Sequence, residues 1–497
     1  MTNLTHGLLL ALEPTTFALM VLSVLGGIVV GALPGMTSSM GIILLLPFTY
    51  RMDEKAALLM LAGMYCGSMM GGSFSAILLR TPGTPSAAAT LLDGYPLTEQ
   101  GKAGKALTTA VVSSFAGGLV STVCLVLIAP TLARVALEFG AAEYFSLAVF
   151  GLTIMASASG KNILKGLIAG CVGLLVSTVG IDMVMGRERF TFGILSLSNG
   201  FALLPVLIGI FAVSQVLAEA EVLKQPGEVV RQVTDTRLAA SELRSIAFPI
   251  AIGCVIGTII GVIPGTGGSI ACFLAYQEAQ RWSKNREKFG HGALEGVAAP
   301  EAANNAVTGG ALVPMLTLGI PGDVVTSVML GALMLIGVRP GPLLFMEDPD
   351  VAYTLLSGMF LIQFVMLALG LASIRAAKSV LAVPYNILMP VIMVLCVVGA
   401  YTLQNSLWDV GVAVAFGVVG YFMRKMSYPG APLVLGVILG PMIEDQLNRA
   451  LLIARNDWTV LLRRPISLMF LCMAVLSIVF SVVSVRRSTK QSVAASS

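Results

Sequence analysis

Two runs of residues carry the means to hold an anion. Gly31-Ala-Leu-Pro34-Gly35-Met-Thr37-Ser38-Ser39 recurs 230 residues later as Gly261-Val-Ile-Pro264-Gly265-Thr266-Gly267-Gly268-Ser269, each closing a long apolar stretch. Proline removes a backbone donor and glycine admits turns that other residues resist, so each Pro-Gly pair breaks a helix. The helix restarting after such a break offers unpaired N–H groups and a positive dipole end, a ready anion site. Thr37, Ser38 and Ser39 in the first run, and Thr266, Gly267, Gly268 and Ser269 in the second, supply hydroxyls and room for close approach. A further pair follows, Thr81-Pro82-Gly83-Thr84 and Ile320-Pro321-Gly322-Asp323; Gly209 with Gln215 and Gly440 with Gln446 then close the pattern 231 residues apart.

Cation chemistry is offered by the stretch Glu295 to Leu318, where Glu301, Asn304, Asn305 and Thr308 stand at i, i+3, i+4 and i+7 and so share one helix face. A carboxylate and two carboxamides in apolar sequence must face a partner or a cavity. They are either hydrogen-bonding glue between helices or ligands of a hard cation such as sodium, with Glu301 alternatively carrying a proton. Asp323 and Thr326, opposite Thr84 and Ala87 of the first half, either join that set or cap the restarting helix. Aligned on Gly71-Gly72, the first half has Gly63, Cys66, Gly67 and Met70 at the matching positions, which assigns the cation to the second half. Arg80, just before Thr81-Pro82-Gly83, is a carboxylate clamp or snorkels to the interface. Asp182, Arg187 and Arg189 read as ordinary loop charges.

The elements that must position these groups are membrane helices. Hydrophobic residues make up 56% of the 497 and charged residues 11%, against about a quarter charged in a soluble domain. Thr16–Leu33, Ala106–Pro130, Phe201–Ala218, Ile246–Ile263, Val351–Ser373 and Ile466–Val485 are each long enough for the roughly 20 residues that span a bilayer. The expectation is an all-α polytopic protein of about 12 (10–14) transmembrane helices in two repeats, with Pro34-Gly35, Pro82-Gly83, Pro264-Gly265 and Pro321-Gly322 as helix breaks or re-entrant hairpins. Residues 1–218 form the first half, 219–245 a polar linker, 246–450 the second half and 451–497 a carboxyl-terminal helix and tail. Charges cancel in the loop with Arg51, Asp53, Glu54 and Lys55, whereas Arg281, Lys284, Arg286 and Lys288 are offset only by Glu287. Equivalent loops on opposite sides of the membrane would make the repeat inverted. The first basic residue is Arg51, so no cleavable signal peptide is expected, and a net charge of +4 argues against nucleic acid as a partner. Seven isolated cysteines suggest packing rather than disulfides or a transition-metal centre; no cofactor is expected beyond sodium as coupling ion. Two such halves with broken helices are the sequence picture of a secondary transporter.

The runs GALPGMTSSMGIILLLPFTY, GGSFSAILLRTPGTPSAAATLLDGYPLTEQGKAGKAL, RFTFG, GVIPGTGGSIACFLAYQEAQR and EGVAAPEAANNAVTGGALVPMLTLGIPGDVVTSVMLGALMLIGVRPGPLLF closely resemble the large membrane subunit of tripartite tricarboxylate transporters, the TctA family, over residues 15 to 450. The resemblance implies a multi-pass protein of the bacterial inner membrane, an elevator-like permease importing di- or tricarboxylates on an ion gradient without ATP. It also implies a small membrane subunit of about four spans and a periplasmic solute-binding protein as partners. Where relatives often have Asn before Thr-Pro-Gly this chain has Arg80, and where many have an acidic residue after it there is Thr84, so the carboxylate is not fixed. No G-x-x-x-x-G-K-[ST] loop is present for an ATP-driven pump. An intramembrane enzyme lacks a nucleophile and base around Glu301 or Asp323. A passive carboxylate channel is the other alternative.

Overall fold

A computed structural model describes residues 2–158, 163–182, 186–221, 235–381, 385–402 and 404–494. About half of the expected linker, including Lys224, Pro226, Glu228 and Arg231, lies outside the described residues. The described chain is nearly all helix; the departure from that expectation is a two-residue antiparallel pair, β1 (Gly180–Ile181) with β2 (Glu188–Arg189). Two compact units form. One comprises Met1–Arg134, Glu219–Ile263 and Gly267–Gly399, the other Val135–Ala218, Pro264–Thr266 and Ala400–Ser497.

In the first unit α1 (Thr2–Ala11) and α2 (Pro14–Ala32) lead to the first break, and α3 (Ser38–Thr49) and α4 (Glu54–Leu79) follow it. A short turn of helix, Pro85–Ala88, then α5 (Leu91–Glu99) and α6 (Ala103–Ala136), complete the first half's share. Its packing is backbone on backbone. A Cβ on Gly27 would meet Met64 O, Ser68 N and Gly67 Cα at 2.7–3.1 Å, and one on Gly71 would strike the Ile28 backbone. These contacts advance together along both helices, so α2 and α4 run parallel and the chain returns between them through α3. The break therefore turns the chain back on itself.

The second half's share has glycine contacts at a similar spacing. In chain order after α5 and α6, the second unit supplies α7 (Ala141–Ala158), α8 (Ile163–Ser177), α9 (Leu203–Leu207) and α10 (Ser214–Glu221); the first unit then continues with α11 (Ala240–Val262), α12 (Gly267–Trp282), α13 (Leu294–Leu318), α14 (Val324–Leu335), α15 (Leu344–Glu347) and α16 (Pro349–Leu381). Gly257 lies against Ala303 and Ala306, and Gly261 against Val307 and Gly310. Each contact matches one between α2 and α4, displaced by 230 residues on the first helix and 239 on the second. That register corrects the Gly-Gly alignment by one: Glu301, Asn304, Asn305 and Thr308 stand opposite Ala62, Tyr65, Cys66 and Met69. The breaks match too. Gly35 and Gly265 are left-handed at φ +84° and +83°, and Arg80 and Gly319 end α4 and α13 left-handed at φ 55° and 70°.

Seven helices among the described residues are long and apolar enough to cross a membrane, and six more are apolar but shorter. The shorter set includes α3 and α14, the pieces that follow a break. Almost every residue of α4 and α13 is buried by protein, which lets both carry groups that lipid would not tolerate. The loop feeding α13 is pinned by buried Asp93 on α5. Its Oδ1 accepts from the backbone N–H groups of Gly290, Gly292 and Ala293 at 2.8–2.9 Å, and its Oδ2 accepts from the Tyr276 hydroxyl at 2.9 Å.

α17 (Tyr385–Thr402) lies mostly in the first unit. In the second unit, after α18 (Leu407–Lys425), α7 packs on α19 (Gly430–Ile453) and α21 (Pro465–Ala494), and α8 on α19; α20 (Val460–Arg463) is a single turn. A π-helical segment, Ile208–Val213, joins α9 to α10, and its Gly209 meets the backbone of α18 at Ala413 and Gly417. Arg189, read from sequence as a plain loop charge, is a clasp: its guanidinium donates to both oxygens of Glu444 at 2.6 and 3.0 Å. That carboxylate holds the guanidinium above its ordinary pKa.

Candidate functional site

In each half, the helix leading to the first break meets the second break within the first unit. A Cβ on Gly83 would strike Gly31 O, and one on Gly322 would stand 2.7 Å from Gly261 O. Gly83 N–H also donates to Gly72 O at 3.2 Å. Glycine is required at both junctions because backbone lies where a side chain would be.

Around Met69 several helix starts come together within the first unit. Thr37 caps α3 by accepting from Met40 N at 3.2 Å. Ser38, the first residue of α3, donates to Met69 Sδ at 3.5 Å, and Ser86, in the turn Pro85–Ala88, donates to the same sulfur at 3.9 Å. Thr84 Oγ1 lies 3.1 Å from Ser86 Oγ. A Cβ on Gly268, in the first turn of α12, would stand 3.0 Å from Met69 Cε, 3.2 Å from Ser86 Cβ and 3.2 Å from Asn304 Oδ1. Three chain starts, two from the first half and one from the second, thus share one buried locus. Ser39 is buried beside them. Gly267 is left-handed at φ +69° with open space around it. Ser269 lies on another face of α12 and lines an open cavity of about 370 Å³ with Ile270, Phe273, Leu274 and Gln277. Pro264, Gly265 and Thr266 belong to the second unit, where Gly265 packs on the Met155 backbone.

Asn304 Nδ2 donates to Met69 O at 2.9 Å, while its Oδ1 has no hydrogen-bond partner. Asn305 is fully buried with neither amide atom paired. Glu301, also fully buried, accepts from Thr90 Oγ1 on one carboxylate oxygen and from Ser114 Oγ at 3.1 Å on the other. Cys66 Sγ is 3.7 Å from Thr308 Oγ1. With Met69 beside Asn304 and Cys66 beside Thr308, α4 and α13 run in opposite senses where they meet.

Asp323 and Thr326 cap α14 reciprocally: Thr326 N donates to Asp323 Oδ1 at 2.7 Å and Asp323 N to Thr326 Oγ1 at 2.8 Å. The remaining oxygen, Oδ2, accepts from Tyr65 Oη at 2.6 Å. The cap and the Tyr65 bond thus engage both carboxylate oxygens. Arg80 is exposed, its guanidinium 5.5 Å from the Tyr95 ring centroid. Sequence reasoning missed Tyr65, Met69, Ser86, Thr90 and Ser114. Tyr65, Thr90 and Ser114 are unremarkable residue types whose partners stand far away in the chain, and the register that sets Tyr65 opposite Asn304 is itself read from the helix contacts.

The family model for the tripartite tricarboxylate transporter TctA family matches residues 17–435. An uncharacterized 52.8 kDa protein in the TAR-I ttuC' 3' region of Agrobacterium vitis is 38% identical over 492 residues, covering 99% of this chain and 98% of that protein. An uncharacterized protein in the TAR-II ttuC' 3' region of the same organism is 35% identical over 237 residues, 48% of this chain and 98% of its own. No solved structure matches. With its broken, largely buried helices and a family match spanning most of its length, the chain belongs to the tripartite tricarboxylate transporter TctA family.

Proposed function

We propose that the protein is the large permease subunit of a binding-protein-dependent secondary transporter of the bacterial inner membrane, importing di- or tricarboxylates with a cation, sodium rather than protons, and without ATP. The observation that carries this reading is the convergence of the starts of α3, of the turn Pro85–Ala88 and of α12 on one buried locus. Helix N-termini favour carboxylates without a buried basic residue, which suits an anion that must be released again. Thr37, Ser38, Ser39, Gly83, Thr84, Gly267, Gly268 and Ser269, with Thr266, are the proposed carboxylate residues. The chain's own Glu219 carboxyl already rests against Gly35, about 3.0 Å from where a Cβ would be. Glu301, Asn304 and Asn305 are the proposed cation residues, and Asp323 and Thr326 hold the α14 start in place.

The opposed directions of α4 and α13, which correspond in the two halves, support an inverted repeat. The first unit contains every proposed ligand except Thr266, which suits an elevator-like mechanism in which that unit carries the cargo. Partners are a small membrane subunit of about four spans and a periplasmic binding protein that sets most of the selectivity. The test is carboxylate uptake into proteoliposomes containing all three components, under a sodium gradient alone and a pH gradient alone. Uptake is expected only with sodium. Full uptake on the pH gradient without sodium would transfer the coupling to Glu301 as a proton carrier, and flux indifferent to both gradients would make the protein a channel.

A further inference from the structure

Four helices of the first unit enclose a polar layer one turn from Glu301. Gly117 lies against Ala302 and Gly309 against Ser121, bringing α6 alongside α13. Gly358 lies against Leu59 and Gly370 against Met70, bringing α16 alongside α4. Gly118 touches the Gln363 amide and Cys66 approaches Thr308, so α6 meets α16 and α4 meets α13 at the same level. Cys66, Gly118, Asn305, Thr308 and Gln363 therefore occupy one layer.

The hydrogen bonds in that layer are incomplete. Gln363, fully buried, donates from Nε2 to Cys66 Sγ at 3.6 Å, and its Oε1 has no partner. Asn305 Oδ1 and Nδ2 are both unpaired, so its deficit holds whichever way the amide is turned. Glue between helices would have its carbonyls met by donors. Two buried carboxamide oxygens left unmet among apolar helices are costly and call for a ligand.

From this layer we infer that Asn305 Oδ1 and Gln363 Oε1, with Thr308 Oγ1, form the site of a dehydrated monovalent hard cation of sodium's size. This rests on the sodium-coupled reading above and locates its ion, with Gln363 as a ligand that no motif announced. Neutral oxygen donors select a hard cation over a soft one, and calcium and magnesium are usually held with carboxylates among their ligands. Among the described residues no cluster of three His, Cys, Asp or Glu stands ready for a metal. Glu301 stands one turn back on α13. Gly118 gives the Gln363 amide its place, since a Cβ there would collide with Oε1.

The test is thermal unfolding of the purified full-length protein, titrated with sodium chloride against choline chloride at constant ionic strength. A ion bound only by the folded state raises the midpoint by mass action. Sodium is expected to raise it for the wild type, and Asn305→Ala and Gln363→Ala to weaken the apparent sodium affinity about tenfold or more. Asp323→Asn should start from a lower midpoint but respond to sodium as the wild type does. Gln363→Glu keeps the oxygen and adds a charge, so it should respond at lower sodium and acquire a calcium response, which misfolding cannot imitate. Sodium responses equal to wild type in Asn305→Ala and Gln363→Ala, or no change in Gln363→Glu, overturn this site and leave sodium-coupled import standing. Loss of carboxylate import with the sodium responses as expected would overturn the proposed function and leave the site.

Discussion

At the scale of single residues, the Tyr65–Asp323–Thr326 group joins a helix cap to a bond from another helix. Asp323 has its oxygens taken by Thr326 and Tyr65, so Tyr65→Phe should lower stability by about 1 to 3 kcal/mol, the cost of leaving a charged acceptor one donor short. Thermal unfolding and uptake together check it: the midpoint should fall while the sodium dependence of uptake stays the same. Gly268 is the opposite case. Its Cα sits among Met69, Ser86 and Asn304, so Gly268→Val should abolish carboxylate uptake with normal amounts of protein in the membrane; uptake at the wild-type rate would remove α12 from the site. Gly267→Ala meets open space and strains only a left-handed backbone, so it should cost stability more than transport. The shared face of Glu301, Asn304 and Asn305 was legible in sequence because carboxamides are rare in apolar helices. Thr90, Ser114 and Gln363 were not, because a lone hydroxyl or amide gives no periodic signal and its partner stands about two hundred or more residues away.

At the scale of elements, close backbone contact is what joins α2 to α4 and α11 to α13. Gly67 against Val24 and Gly257 against Ala303 leave no room for a side chain, and small residues at such seams are how helices associate where lipid supplies no hydrophobic drive. Gly257→Leu should therefore reduce the amount of folded protein recovered from membranes, far more than Gly411→Leu, where a Cβ meets nothing within 4 Å; size-exclusion profiles of the two variants decide it. The breaks were readable because Pro-Gly in an apolar run has few other meanings. Their turning the chain back follows only from α2 and α4 being parallel, which is a tertiary fact. The one-residue error in register arose from the glycine doublets themselves: Gly71 corresponds to Gly310, so Gly71-Gly72 and Gly309-Gly310 overlap by a single residue. The π-helical segment at Gly209 was marked in sequence by its repeat with Gly440, but nothing in the residue types gives the extra residue in its turn.

At the scale of the whole molecule, the chain's halves and its compact units are different divisions. The polar stretch after Ala218 separates the halves in sequence, yet each unit draws helices from both halves, since helix pairing follows apolar and glycine faces rather than chain order. Inversion of the halves has a direct check. With exposed Cys171 and Cys472 replaced by serine, Arg51→Cys and Lys284→Cys should react with an impermeant thiol reagent from opposite sides of the membrane, and reaction from one side would leave a parallel repeat. The meeting of α4 with α13 also bears on biogenesis. During synthesis the first half, with Thr90, Ser114 and the Met69 carbonyl, is made before their partners Glu301 and Asn304. A carboxylate helix entering lipid alone costs about 2.5 to 3.5 kcal/mol at its centre, so the finished half acts as a receptor for the nascent one. The protein would then be its own insertion chaperone, and a gene split within residues 222–234 should yield a second half that is degraded when expressed alone and accumulates when the first is supplied in trans.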